Sequence, residues 1–341
     1  MRFLSTRGSC DPASFRAALF RGLAPDGGLY LPERVPELPA SRLASFAGAT
    51  LAEIGAAVAA EFVDDLPPDT LAGVCADALD FPVPLVALDD RVFLLELFHG
   101  PTLAFKDVGA RFMARAMGAY LGERRESLTI LVATSGDTGG AVAQAFHGVP
   151  GTSVVVLYPA GRVSPVQERQ FTTLGGNVRA YAVDGAFDDC QRMVKAAFRN
   201  ETLSEGLRLT SANSINVGRL VPQTFYYFHA AARWPHDDPP VVCTPSGNFG
   251  NLCAGLLARR MGLPVSAFVA ATNANDVVPE YLDTGDFRLR PSLSTLSNAM
   301  DVGDPSNFDR ILHLYGGSHR AIAVDVRGSR HDDDATRAEI R

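Results

Sequence analysis

The chain has 341 residues, 47% of them hydrophobic, and a formal net charge of −7. That content suffices for two domains with substantial cores. The acidic balance, with no basic stripe, excludes nucleic acid and an anionic membrane as partners.

Five scattered cysteines (Cys10, Cys75, Cys190, Cys243, Cys253) contain no CxxC, which predicts free thiols in a reducing compartment, the cytoplasm. The seven histidines form no metal-ligand pattern, so no metal is expected. Residues 1–4 build no apolar signal region. The alanine-rich window 43–63 is interrupted by Glu53 and Glu61 and closed by Pro67-Pro68, as in a packed helix rather than a membrane span.

In chain order, residues 1–85 read as an N-terminal helical cap. It has a turn at Asp26-Gly27-Gly28 and helical patterns over 43–62 and 70–79. A first α/β domain is expected over 86–235. Two short strands (85–88 and 91–97) precede a helix over 108–120. Strands over 128–133, 153–158, 178–183 and 207–210 then alternate with helices over 141–147, 163–174, 187–198 and 217–234. Residues 236–341 read as part of a second α/β domain. It has strands over 241–244, 265–271 and 322–326, a helix over 252–261, a loop-rich stretch over 272–310 and a helix start at Asp332-Asp333-Asp334. This alternation predicts the α/β class, with mostly parallel sheets covered on both faces.

Two loops share one design. Ser135–Gly140 and Ser246–Asn251 each leave a buried strand, carry glycines and small polar residues, and open a helix. Unpaired N–H groups and the dipole at a helix N-terminus favour an anion, and glycine lets the backbone approach it. Neither loop matches GxGxxG or a P-loop ending, so a pair of small anion sites is expected rather than a nucleotide site. Lys106 follows the apolar run Leu103-Ala104-Phe105. A dry setting lowers an amine's pKa and frees it as a nucleophile. A reactive lysine beside a phosphate cradle is what pyridoxal phosphate requires.

The stretch His99-Gly100-Pro101-Thr102-Leu103-Ala104-Phe105-Lys106-Asp107 resembles the cofactor-lysine motif of the threonine synthase family. Ala133-Thr134-Ser135-Gly136-Asp137-Thr138-Gly139 resembles its substrate loop, and Pro245-Ser246-Gly247-Asn248-Phe249-Gly250-Asn251 its phosphate-cradling loop. Further family-like stretches are Asn213-Ser214-Ile215-Asn216, 293–301 and Pro305-Ser306-Asn307-Phe308. The resemblance implies two three-layer α/β domains of the tryptophan synthase β-like kind (pyridoxal-phosphate fold type II) behind the helical cap. It implies conversion of O-phospho-L-homoserine and water to L-threonine and phosphate, the last step of threonine biosynthesis. It makes Lys106 the catalytic, cofactor-bearing residue and Gly247, Asn248, Phe249, Gly250 and Asn251 the phosphate cradle. Ser135, Asp137 and Thr138 would face the amino-acid part of the substrate, and Asn213, Asn216 and Arg219 its phosphate end. The protein would work as a monomer or homodimer.

In the family a later segment around Asp-Pro-His-Thr-Ala adds a threonine near the cofactor's pyridine nitrogen. No such motif follows Ser329 here, so a missing C-terminal segment is expected. A related pyridoxal-phosphate lyase or dehydratase, and a non-catalytic remnant, stand as alternatives.

Overall fold

A computed structural model describes residues 1–124 and 127–340. Strand β1 (Phe3–Ser5) pairs antiparallel with β2 (Tyr30–Pro32), and helix α1 (Phe15–Arg21), capped by Ser14, lies between them. The turn returning to β2 requires glycine, because a Cβ on Gly28 would sit 2.1 Å from Ser5 Oγ. The expected helix over 43–62 divides into α2 (Ala40–Ala44) and α3 (Leu51–Ala59). Gly48 turns the chain at φ +76°, and a Thr50/Glu53 capping box restarts it. Helix α4 (Pro68–Ala78) opens on proline, whose missing N–H would be unpaired there anyway.

The hairpin of β3 (Leu85–Ala87) and β4 (Phe93–Leu95) turns on Asp89, which accepts from the N–H groups of Arg91 and Val92. Helix α5 (Lys106–Arg124) follows. The next units are β5 (Leu128–Ala133), α6 (Asp137–Phe146), β6 (Thr152–Pro159), α7 (Pro165–Thr172), β7 (Val178–Val183), α8 (Phe187–Arg199), α9 (Glu201–Gly206) and β8 (Leu209–Thr210). Their strands form one parallel sheet in the order β7-β6-β5-β8.

The single helix expected over 217–234 is instead two, α10 (Val217–Leu220) and α11 (Gln223–Ala231). They are separated at Pro222, which has no N–H to continue the ladder. A second parallel sheet, in the order β11-β10-β9, comprises β9 (Val241–Pro245), β10 (Ala267–Thr272) and β11 (Val326–Arg330). Between and after these strands run α12 (Gly250–Arg260), α13 (Val277–Thr284), α14 (Phe308–Leu314), α15 (His319–Asp325) and α16 (Asp333–Glu339).

Two expectations in this part need correction. The stretch 272–310 contains α13 and the start of α14. The strand expected over 322–326 is helix α15, capped by Ser318, and the strand begins where that helix ends. Gly328 in β11 lies under α13, where a Cβ would come within 2.9 Å of Pro279 Cα.

One core runs from the N-terminal helices through α5, α11 and α12 to β9 and β10. Phe112 and Phe225 meet edge to face at 5.5 Å, and Gly55 of α3 packs on Phe225. A smaller cluster of Leu131, Ala133, Leu157, Cys190 and Val194 fills the space between the first sheet and α8. Among the described residues no helix is long and apolar enough to cross a membrane. The five cysteines are free thiols.

Candidate active site

Lys106 is the first residue of α5. The turn before it is closed by Asp107, a buried carboxylate accepting from Thr102 N–H at 2.8 Å and Thr102 Oγ1 at 2.7 Å. Gly100 must be glycine, since a Cβ there would lie 2.5 Å from Asp107 Oδ2. Leu103 turns the corner at φ +58°. Burial pushes the Asp107 carboxyl up, while the Thr102 bonds and the Arg111 charge oppose that push.

With the turn fixed, the Lys106 side chain, 16% exposed, reaches across to Asp137 and forms an ion pair. Burial pushes the lysine's pKa down. Asp137, by charge and hydrogen bond, pulls it up, and the Arg219 charge adds to the downward push. The Lys106 ammonium also lies 5.9 Å from the Phe105 ring centre.

Asp137 opens α6 in the same way, so two helix N-termini face each other across this pair. Thr134 Oγ1 folds the loop by accepting from Gly136 N–H at 3.0 Å and Gly139 N–H at 2.8 Å. A Cβ on Gly139 would come within 2.4 Å of Thr134 Cγ2. Gln167 and Gln170 press on Gly136 and Gly140, and Gln170 Nε2 donates to Thr102 O at 3.3 Å. The Ser135–Gly140 loop is thereby tied to the lysine turn. Ser135 is exposed, and Thr138 is half-buried beside Asp137.

The second loop leaves β9 and opens α12. Phe249 stands at φ +59°, a left-handed conformation costly for a bulky residue. It rests edge-on against Phe308 at 6.0 Å. Gly247 is roofed by the segment 299–302, and a Cβ there would meet Met300 Cα at 2.8 Å. Asn251 Oδ1 accepts from Tyr226 Oη at 2.5 Å and Tyr227 Oη at 2.8 Å. Burial pushes both phenols up, so they stay donors. The first N–H groups of α12 have no partner within their own helix, an arrangement suited to receive an anion.

Arg219 is 3% exposed and donates from Nη1 to Ala212 O at 2.7 Å. Burial pushes its pKa to about 10 against the charges of Asp137 and Asp107. Among the described residues its Nε is buried without a partner, as are Asn213 Oδ1 and Asn248 Oδ1. Buried polar atoms without partners are costly.

Asn216, expected to touch substrate, is a buried cap. Its amide donates to Leu19 O at 2.8 Å and Ser211 O at 3.0 Å and accepts from Gly218 N–H at 2.8 Å. Both amide protons and the carbonyl oxygen are engaged inside the protein. Three further residues near the site, Arg310, Ser214 and Asn307, have no role assigned from sequence. Arg310 is fully buried near the second loop, and its only sequence signal was a charge beside apolar Phe308 and Ile311. His99 pairs with Glu96 at 2.7 Å.

Surface cavities of about 720 Å³ along α8 and 360 Å³ between α13 and β11 contain neither Lys106 nor any residue of the two loops. Among the described residues no cluster of His, Cys, Asp and Glu is placed to hold a metal.

A primary amine in a dry setting, a backbone cradle at Gly247 that admits no Cβ, and a nearby buried arginine with a free N–H suit a phosphate-bearing aldehyde. Comparison with known proteins agrees. Residues 2–79 match the family model "Threonine synthase N terminus" and residues 80–329 the model "Pyridoxal-phosphate dependent enzyme". The threonine synthase of Haemophilus influenzae is 47% identical over 89% of this chain and 72% of its own length. The crystal structure of threonine synthase from Escherichia coli superposes with a TM-score of 0.91 at 43% identity, covering 100% of this chain and 80% of that one. The pyridoxal-phosphate-bound threonine synthase of Brucella melitensis gives 0.93 at 38% identity, covering 98% and 79%. The chain belongs to the threonine synthase family, pyridoxal-phosphate-dependent enzymes of fold type II.

Proposed function

We propose that Lys106 is the covalent anchor of the cofactor and the group that moves protons between substrate carbons as O-phospho-L-homoserine and water become L-threonine and phosphate. The observation that carries this reading is the position of Lys106 Nζ. It is nearly buried, held by Asp137, and lies where two helix N-termini meet. Bound pyridoxal phosphate supplies an electron sink that makes the substrate's carbon-bound protons removable. The chain's own residues do the rest.

The N–H groups of Gly247, Asn248, Phe249, Gly250 and Asn251, with the α12 dipole, hold the cofactor phosphate. Ser135 and Thr138 donate to the amino-acid carboxylate, while Asp137 sets the charge state of the lysine. Arg219, with Nε free and Asn213 beside its helix, takes the substrate phosphate, for which its fork is suited. Asn216 positions the turn that carries Arg219. On this reading residues 86–235 carry the lysine and the first sheet, 236–341 the phosphate loop and the second sheet, and 1–85 the N-terminal cap. The odd, unpaired cysteines support a cytoplasmic setting, and the protein acts as a monomer or homodimer.

Absorbance titration with pyridoxal phosphate and product analysis test the proposal together. Wild type develops the visible band of lysine-bound cofactor and releases phosphate with threonine. An unchanged band in Lys106→Ala refutes the anchor. A keto acid with ammonia in place of threonine and phosphate refutes the reaction.

A further inference from the structure

Two stretches that stand out in the sequence, 213–216 and 305–308, meet at one buried cation, and Ser214 of the first bonds Asn248 of the Gly247–Asn251 loop. Arg310 is 0% exposed. Its Nε donates to Tyr30 O at 3.0 Å, Nη1 to Asn307 Oδ1 at 2.5 Å and Ser214 O at 3.4 Å, and Nη2 to Ile215 O at 2.5 Å. All these partners are uncharged, three of them main-chain carbonyls. A buried guanidinium bound only to neutral acceptors has given up its hydration without a counter-charge. Burial accordingly pushes its pKa to about 10.

This arrangement makes poor sense as a stability device, because replacing a buried charge by apolar packing is often neutral or favourable. It makes better sense as a clamp. The rigid fork fixes three segments at once, which an apolar side chain cannot do.

What the clamp holds is Ser214. Its backbone carbonyl is bound by Arg310, and its hydroxyl receives Asn248 Nδ2 at 2.6 Å and Asn307 Nδ2 at 3.5 Å. Asn248 lies in the loop before α12, whose neighbour Gly247 tolerates no Cβ and whose next residue Phe249 is held left-handed. A loop in so costly a conformation needs an outside tether to keep its N–H groups aimed.

We propose that Arg310 is a positioning residue. Through Asn307 and Ser214 it sets Asn248, and with it the backbone donors that receive the cofactor's phosphate. Arg310 touches no ligand; it keeps the cradle formed before the ligand arrives. The inference rests on the reading that the Gly247–Asn251 loop binds that phosphate.

The test compares pyridoxal 5′-phosphate with pyridoxal, which has the aldehyde and lacks the phosphate. Both are titrated into wild type, Ser214→Ala and Arg310→Lys, with absorbance as readout and the thermal midpoint measured alongside. Ser214→Ala leaves the guanidinium in place, so the outcome does not depend on Arg310→Lys folding. The expected result for Ser214→Ala is affinity for pyridoxal 5′-phosphate lower by about tenfold, with affinity for pyridoxal unchanged. Arg310→Lys, keeping charge and losing the fork, shows the same selective loss. Unaltered affinity for the phosphate form overturns the proposal. So does equal weakening of both ligands, which marks general loosening. A wild type that binds both ligands equally refutes the phosphate-loop reading itself, and the proposal with it.

Discussion

Lys106 and Asp137 form an ion pair between the first residues of two helices, α5 and α6. Each helix directs its positive end at the same small volume. The ammonium is thus placed where dipoles, burial and Arg219 all disfavour its charge, and Asp137 is the main force in the other direction.

Removing that carboxylate therefore lowers the lysine's pKa further. The unprotonated amine is the nucleophile, so attachment of the cofactor to the apo-protein should extend to lower pH in Asp137→Asn. The pH midpoint of the attachment rate, followed by absorbance, reads this directly. A midpoint that stays put or moves up means the pair does not govern the amine.

Lys106→Ala should lower turnover at least about a hundredfold, the usual minimum for a proton-moving side chain. The variant should keep its fold, because only the long side chain spans the gap to Asp137. Steady-state kinetics with circular dichroism separates lost chemistry from lost structure.

Gly247→Ala places a methyl group against Met300 Cα and Ala299 O. Overpacking of this kind costs about 1–3 kcal/mol and should appear mainly as weaker cofactor binding. Gly73→Ala in α4 is the control. Nothing lies within 4 Å of its Cβ, and the change should stabilise the chain by about 0.5–1 kcal/mol. Equal cofactor affinity in the two variants would argue against a crowded cradle.

Arg219→Lys retains charge and loses Nε. Loss of one charge-assisted bond should raise KM for the phosphorylated substrate by roughly tenfold to a hundredfold. The absorbance of bound cofactor should not change. If cofactor affinity falls and KM does not, Arg219 serves the cofactor instead.

Asn273 gathers the segment 293–301. Its amide donates to Thr295 Oγ1 at 2.8 Å, Ser297 Oγ at 3.1 Å and Asp301 Oδ1 at 2.9 Å, and accepts from Asn275 N–H at 2.9 Å. Asn273→Ala strands these part-buried partners and should cost about 1–2 kcal/mol in urea unfolding. Because that segment roofs Gly247, cofactor affinity should fall with it.

The sequence made some of this legible because the signals were local. Strands β5 and β7 run as their apolar stretches predict, and Lys106 follows a turn whose glycine, Gly100, and aspartate, Asp107, lie close in the chain. Other features were settled by contacts that no residue type announces. Ile322, Val324 and Val326 alternate as a strand does, yet Ser318 caps a helix there and Val324 faces solvent at 72% exposure. Asn216 has the chemistry of a substrate contact and is consumed by Leu19, distant in the sequence. Arg310 was hardly legible, because three of its four partners are main-chain carbonyls.

The roof over Gly247 also fixes an order of events in time. During synthesis Lys106 emerges first, then the loop before α12, and Ala299 to Val302 last of the three. The binding site depends on contacts between parts far apart in the chain, which form late and slowly. Cofactor capture should therefore follow the completion of folding rather than guide its start. Refolding monitored by tyrosine and tryptophan fluorescence should run at the same rate with and without pyridoxal phosphate, and a cofactor-dependent rate would show that the ligand acts earlier.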